Sequence, residues 1–328
     1  MIILASVLQV DFHSQEMLDL LKNIPDITWT PGVPAIFAGK SEEEVSMMLG
    51  YSDRNHQQVL EPEIPEKEAT METQEVLEKA VFPDSFNYFY LRPECMLVRY
   101  MGTCFAPWAF ASVGVFGDNR CIKGRDPVRV HYSEQYRISC DIWAIDNGRD
   151  HCIAGPLSYN PYFMMSQGLP LDTCVSYKGS YNNSKQYLCP NTCDDGSPLV
   201  RTKIGIAKIY DGFLYKPKDL SKEDMMKQHI MNFGCLLGSF DVYYDFLFYM
   251  GGLYQHVSGG YQHTQAINII GWGEENGVKY WNVRNNWGET WGESGDHDPE
   301  NYEQLGYFRI LRGVNHCNIE ERCTVYEV

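Results

Sequence analysis

The amino-acid sequence predicts an α+β fold, with helical segments in its first half and a β-rich region near its C-terminus. Three observations carry that reading. An apolar run from Trp108 to Phe116 begins at Pro107. Proline suits the first helical position because an N–H there has no intrahelical partner anyway, so a buried helix starts at Pro107. Further on, Ala266–Ile270 and Val278–Val283 are β-rich runs flanking Glu275-Asn276-Gly277, and Asn-Gly between such runs is a strong hairpin signal. Finally, the composition changes at Phe82 from acidic and polar to rich in aromatics, Gly and Cys.

In chain order, Ile2–Val10 is a short apolar run with no Lys or Arg ahead of it, and Asp11 ends it. Residues 1–10 therefore read as a poorly formed signal peptide. Residues 11–50 are polar and helix-prone. Met17, Leu18, Leu20 and Leu21 lie on one amphipathic stretch, and a second helix runs from Glu42 to Leu49, closed by Gly50. Residues 51–80 carry Asp, Glu, Gln and Pro with few large apolar groups, which predicts an exposed linker. The body is 81–328. At the hairpin, Gln265 lies 11 residues before Asn276, and Asn285 lies 8 after Gly277. With Gly271 and Gly273 allowing a bulge, the two residues are expected near each other across the ladder.

Composition excludes several function classes. Of the 328 residues, 27 are Lys or Arg and 43 are Asp or Glu, a net charge of −16. Phosphate backbones and anionic headgroups repel such a chain, so neither nucleic acid nor a membrane surface is an expected partner. No stretch reaches the roughly 18 apolar residues needed to span a bilayer. The eleven cysteines include no Cys-x2-Cys, the nearest spacing being Cys189-x3-Cys193. No metal site or cofactor is expected. So many cysteines fit an oxidising compartment: secreted, vacuolar or lysosome-like. Asn182-Asn183-Ser184 is an N-glycosylation acceptor.

Several stretches together resemble one family. Gly102-Thr-Cys104-Phe-Ala-Pro107-Trp108-Ala-Phe110 is similar to the nucleophile segment of papain-family cysteine peptidases, Gly-Ser-Cys-Gly-Ser-Cys-Trp-Ala-Phe. Ser133-Glu134-Gln135, Cys140 and Cys152-Ile153-Ala154-Gly155 resemble its Ser-Glu-Gln…Cys…Cys-Asn-Gly-Gly run. Tyr254-Gln-His256-Val257, leading to Gly271-Trp-Gly273, resembles the cathepsin B histidine segment. Asn285-Asn-Trp287-Gly288, Trp291-Gly-Glu293 and Gly306-Tyr-Phe308 resemble the asparagine segment, and His316-Cys-Asn-Ile-Glu320 the closing motif. Pro83-Asp-Ser-Phe86 looks like the start of the mature domain, and Thr28-Trp29 with Leu49-Gly50 like the short propeptide.

The resemblance implies a papain-like two-lobed fold: a helical left lobe, a β-barrel-like right lobe and a cleft between them, behind an N-terminal propeptide-like leader. It also implies four disulfides, Cys95–Cys121, Cys104–Cys152, Cys140–Cys189 and Cys174–Cys193, leaving Cys235, Cys317 and Cys323 over. Cys235 stands where the family has proline.

By family alone the chain would be a cysteine-type endopeptidase. Such chemistry needs a thiolate, an imidazole to activate it, a group orienting that imidazole, and two oxyanion donors. The nucleophile position falls on Pro107, which has neither a thiol nor the backbone N–H that serves as an oxyanion donor. The second donor, a Gln in the family, falls on Met101, and a thioether cannot donate. The imidazole position falls on Gln265, whose amide does not titrate near neutrality. Asn285 and Trp287 persist. In the groove, Gly155 persists, while Ile153 and Ala154 replace the Asn-Gly beside it.

Two departures accompany these. Only 18 residues separate Cys174 from Cys193, none of them His, where the family's exopeptidase loop would lie. Asp296–Leu305 is a polar insertion.

The expectation is a monomeric, non-catalytic homologue binding peptides, peptidase inhibitors or other proteins. One alternative is an active cysteine peptidase using a displaced Cys104/His263 pair. Against it, the family makes Cys104 a half-cystine, and His263 is expected in a partly exposed loop. The other alternative is a structural secreted or surface protein.

Overall fold

A computed structural model describes residues 13–49, 81–140, 152, 157, 160–179, 188–204, 221–293, 305–321, 323–324 and 328. The signal-peptide reading of 1–10, the linker 51–80, the groove residues Ile153, Ala154 and Gly155, and the acceptor Asn182 lie outside them. So does the 296–305 insertion apart from Leu305.

In the leader, helix α1 (Gln15–Lys22) starts at Ser14, whose hydroxyl accepts from the Met17 N–H at 3.1 Å. Leu18 and Leu21 form its buried side. After strand β1 (Trp29–Pro31), helix α2 (Glu42–Met48) opens with a reciprocal capping box between Ser41 and Glu44. Both helices fall where the apolar spacing placed them.

The body begins with strand β2 (Phe86–Asn87) and a short helix, α3 (Tyr88–Leu91). Helix α4 (Pro107–Ile122) is nearly all buried, as its continuous apolar run requires. Helices α5 (Glu134–Ser139), α6 (Asn160–Ser166) and α7 (Lys222–Phe233) follow. Strands β3 (Leu236–Tyr243), β4 (Tyr249–Tyr254), β5 (Tyr261–Glu275), β6 (Val278–Arg284), β7 (Tyr307–Leu311) and β8 (Cys323–Thr324) form the late β region.

The sheet runs β1-β4-β7-β6-β5-β3-β8, with β2 also paired to β5. The expected two-lobed papain-like fold is present, and among the described residues its sheet is open and not closed into a barrel. Strand β1 of the leader pairs with β4 at one end, and β8 forms the other end. Strand β4 joins β7 in a short parallel pair.

The β5–β6 hairpin turns at Asn276 and Gly277, both at positive φ (51° and 80°). Those are the values a two-residue turn needs to match the twist of its strands. The register shifts between Ile269 and Gly271, so the ladder carries the expected bulge.

Helix α4 packs on β5 and β3. Where they meet, Asp118 is fully buried and paired with Arg129 at 2.7 Å and Arg284 at 2.6 Å. Burial works against the Arg284 charge, but Asp118 first, and then Tyr307 and Cys235, together more than offset it and keep the guanidinium protonated. The structure holds four disulfides: Cys95–Cys121, Cys104–Cys152, Cys140–Cys189 and Cys174–Cys193. Cys235, Cys317 and Cys323 lie outside these four disulfides.

Candidate active site of a cysteine-peptidase fold

The centre lies where the start of α4 faces the β5–β6 ends. Ala106 has non-helical dihedrals, and its C=O accepts from the N–H groups of Ala109 and Phe110 at 3.0 and 3.1 Å. Pro107 therefore takes the first helical position, where its missing N–H leaves no broken bond. Its side chain is saturated carbon and its nitrogen carries no hydrogen, so residue 107 presents neither a titratable group nor a donor.

Met101 is 1% exposed. Its N–H donates to the Asn286 carbonyl at 3.1 Å, and its own carbonyl accepts from the Tyr177 hydroxyl. Tyr100 bridges to Trp287, and the Gly288 N–H donates to the Arg99 carbonyl at 3.1 Å. The segment before α4 is thus stitched to the 285–288 loop by backbone hydrogen bonds.

Gln265 sits on β5 opposite Phe240 of β3, with no solvent exposure. Its Nε2 donates to Asn285 Oδ1 at 2.9 Å, bringing together the two residues that the turn count had paired. Asn285 Oδ1 also accepts from the Asn286 N–H at 2.8 Å, and Asn286 Nδ2 donates to the Ala266 carbonyl at 2.8 Å. Asn285 Nδ2 is buried without a hydrogen-bond partner among the described residues, as is the Trp287 indole N–H. Trp287 meets Trp291 edge-on at 4.9 Å and Phe37 of the leader at 5.4 Å.

The displaced pair does not assemble. Cys104 is bonded to Cys152 and is fully buried, so its sulfur is no nucleophile. His263 is not a partly exposed loop residue either. It lies on β5 and is 6% exposed, its ring edge-on to Phe105 at 5.1 Å and its Nε2 3.3 Å from Gln265 Oε1. The result is a row of imidazole, amide and amide, His263–Gln265–Asn285, facing a helix start without sulfur.

The remaining cysteines are elsewhere. Cys235 is fully buried next to β3, where its N–H donates to Asn119 Oδ1 at 2.7 Å; burial first, and Asp118 second, push its thiol up. Cys317 follows β7, its thiol pushed up to about 12 by burial and then by Asp245 and Asp241. Such thiols are poor nucleophiles. Cys323 lies on β8 opposite Gly238. Among the described residues no group of three metal-ligating side chains could hold an ion, and no helix is long and apolar enough to cross a membrane.

Sequence reading missed Phe105, Tyr177 and Phe37 as walls of this centre. All are apolar or aromatic residues distant in sequence from what they touch, and no short motif marks them.

A family model described as papain family cysteine protease matches residues 82–327. The chain belongs to that family. Within it, the chain is 33% identical to cathepsin B-like CP2 of Giardia intestinalis, over 90% of this chain and 87% of that protein. It is 32% identical to cathepsin B-like CP3 of the same organism, over 90% and 87%. Among solved structures, proCathepsin B S9 from Trypanosoma congolense superposes with a TM-score of 0.72 at 23% identity, covering 97% of this chain and 100% of that one. That likeness supports the fold. This chain is a cathepsin B-like homologue in the papain family.

Proposed function

We propose that this cathepsin B-like homologue is proteolytically inert and acts as a non-catalytic module that binds peptides, peptidase inhibitors or other proteins. The observation that carries the reading is Pro107 at the first position of α4. At that one place the chain has neither a sulfur to attack a carbonyl nor an N–H to stabilise the oxyanion. Gln265 and Met101 compound the loss, since an amide is no base and a thioether no donor. Removing one member of a catalytic triad leaves residual rate from the oxyanion hole and binding; here both oxyanion donors are replaced as well.

The scaffold supports a working, folded module. Four disulfides, each contributing about 2–4 kcal/mol, hold the loops around the centre. They also suit an oxidising secreted, vacuolar or lysosome-like compartment.

The test combines turnover, labelling and binding. The folded protein is offered a broad fluorogenic peptide set and a thiol-directed epoxide probe, with labelled residues mapped by mass spectrometry. No hydrolysis and no label at Cys104 are expected, together with saturable binding of at least one class of extended peptide or propeptide-like inhibitor. Hydrolysis abolished by His263→Ala, with Cys104 labelled, would reinstate the displaced dyad. Absence of binding to all of these would leave the disulfide-bonded scaffold with a purely structural role.

A further inference from the structure

The leader makes backbone and side-chain contacts of its own with the body. Strand β1 adds to the edge of β4 in antiparallel register, Trp29 opposite Gly252 and Pro31 opposite Tyr249. The Leu253 N–H donates to the Thr28 carbonyl at 2.9 Å, the Thr28 hydroxyl to the Leu253 carbonyl at 2.6 Å, and the Gly32 N–H to the Phe248 carbonyl at 2.8 Å. The Trp29 indole sits against Tyr249 and Tyr254, and its N–H donates to the Gln255 carbonyl at 3.0 Å.

Gly252 makes this approach possible. It has φ +92°, and a Cβ there would stand 2.8 Å from the Thr28 carbonyl oxygen.

The receiving surface is built independently of the leader. Asp245, fully buried, accepts from Tyr254 Oη at 2.7 Å, His256 Nδ1 at 3.0 Å and the N–H groups of Val257 and Ser258 at 2.7 and 3.1 Å. These bonds fix the 244–258 loop from within the body. The leader's own apolar side chains are then buried: Leu21, Phe37 and Val45 have no exposure at all, and Trp29 and Met48 have 3% and 2%. His13, also buried, lies within 3.0 Å of the Leu247 carbonyl, its ring edge-on to Phe248. Among the described residues, no ion pair joins leader to body.

We propose that residues 13–49 are a permanent partner of the body: once the chain is cut between 51 and 80, the leader remains as a bound second piece and keeps Trp287 covered. This rests on the inert reading of the centre, because a working peptidase needs its cleft cleared, whereas an inert one does not. The face of the module open to other partners is then the one the leader leaves free, and Phe37 closes the Trp287 side.

The experiment uses the full chain with a site-specific protease sequence substituted within 51–80. After complete cutting, gel filtration with mass analysis is run at low salt and at about 1 M salt, where the Debye length falls to roughly 3 Å. Both pieces are expected to co-elute one to one under both conditions and to separate only in denaturant. Free leader fragment in native buffer, whether the body stays soluble or precipitates, overturns the proposal. In a second arm, Trp29→Ala in the same background is expected to speed fragment loss by on the order of 30-fold or more, as for a central aromatic anchor. An unchanged rate means the β1 slot does not hold the leader. Peptide hydrolysis is measured on the cut complex and on body stripped of leader. Turnover appearing after stripping defeats the inert reading while leaving leader retention standing, so the two failures are distinct.

Discussion

The two faces of the cleft have diverged to different degrees. On the helical face, α4 begins with a proline, and Cys104 is bonded to Cys152. On the strand face the frame persists with a changed tenant. Asn285 still accepts a hydrogen bond from the residue at the imidazole position, and Trp287 still lies beside it, but that residue is Gln265. An amide reproduces the donor that an imidazole would aim at Asn285 Oδ1, so the loop 285–288 keeps its partner without keeping a base. Packing and hydrogen bonding alone explain the strand face, whereas the helix start needs nothing beyond backbone geometry. On the inert reading proposed above, the difference separates the chemistry of the centre from the walls that frame it.

The sharpest way to break this comparison is to refill both faces. The triple variant Met101→Gln, Pro107→Cys, Gln265→His puts a thiol at a helix N-terminus, where thiolates are favoured, and an imidazole within reach of Asn285. Alkylation at position 107 is expected to be on the order of 100-fold faster or more than in Pro107→Cys alone, with a new acidic limb in its pH profile. That factor is within the contribution of a positioned base. If the triple variant reacts no faster than the single one, the two faces are not aligned as the Gln265–Asn285 contact implies.

The parts of the fold with short-range causes were legible in the sequence. Pro107 marks the start of α4, Ser41 and Glu44 cap α2, and Asn276-Gly277 turns the hairpin with both residues at positive φ. The disulfides came with the resemblance, because cysteine counting leaves many pairings open. What could not be read depends on residues far apart in the chain. Trp29 pairs across from Gly252, Phe37 covers Trp287, and Asp118 meets Arg284 behind the centre. For the same reason, nothing local says that a leader strand will pair with the edge of β4. His263 was misplaced because what makes it strand is a tertiary pairing, opposite Val242 of β3.

Behind both faces, the Asp118–Arg284 pair ties α4 to β6, so it tests whether the walls depend on buried charge. Arg284→Met is expected to lower unfolding free energy by on the order of 3 kcal/mol, the low end for breaking a buried pair, because Arg129 still reaches Asp118. The exposed pair Arg92–Glu94 makes the control: Glu94→Gln should have a much smaller effect, because solvent screens the pair. Urea denaturation measures both. Equal effects would mean that burial does not set the worth of these pairs.

The smallest effect concerns pH, and it again separates packing from catalysis. His229 on α7 is 4% exposed, packed near Phe233, and burial pulls its imidazole down to about 4. His316 is shifted in the same direction, by burial first and then by His256, with Asp245 opposing. An imidazole whose folded pKa lies below its unfolded value of about 6.5 is neutral in the native protein when the unfolded chain has already taken up a proton. Its contribution is complete above pH 6.5 and is lost as the pH falls towards 4. For His229 alone that loss is on the order of 3 kcal/mol, at about 1.36 kcal/mol per unit. Thermal unfolding of the intact protein between pH 7 and 4.5 should therefore show stability declining on acidification, and His229→Gln should flatten the slope. Parallel wild-type and variant curves would show that this imidazole takes up its proton without disturbing the fold. Pro107, Gln265 and Met101 carry no titrating group, so none of these three side chains contributes to that pH dependence.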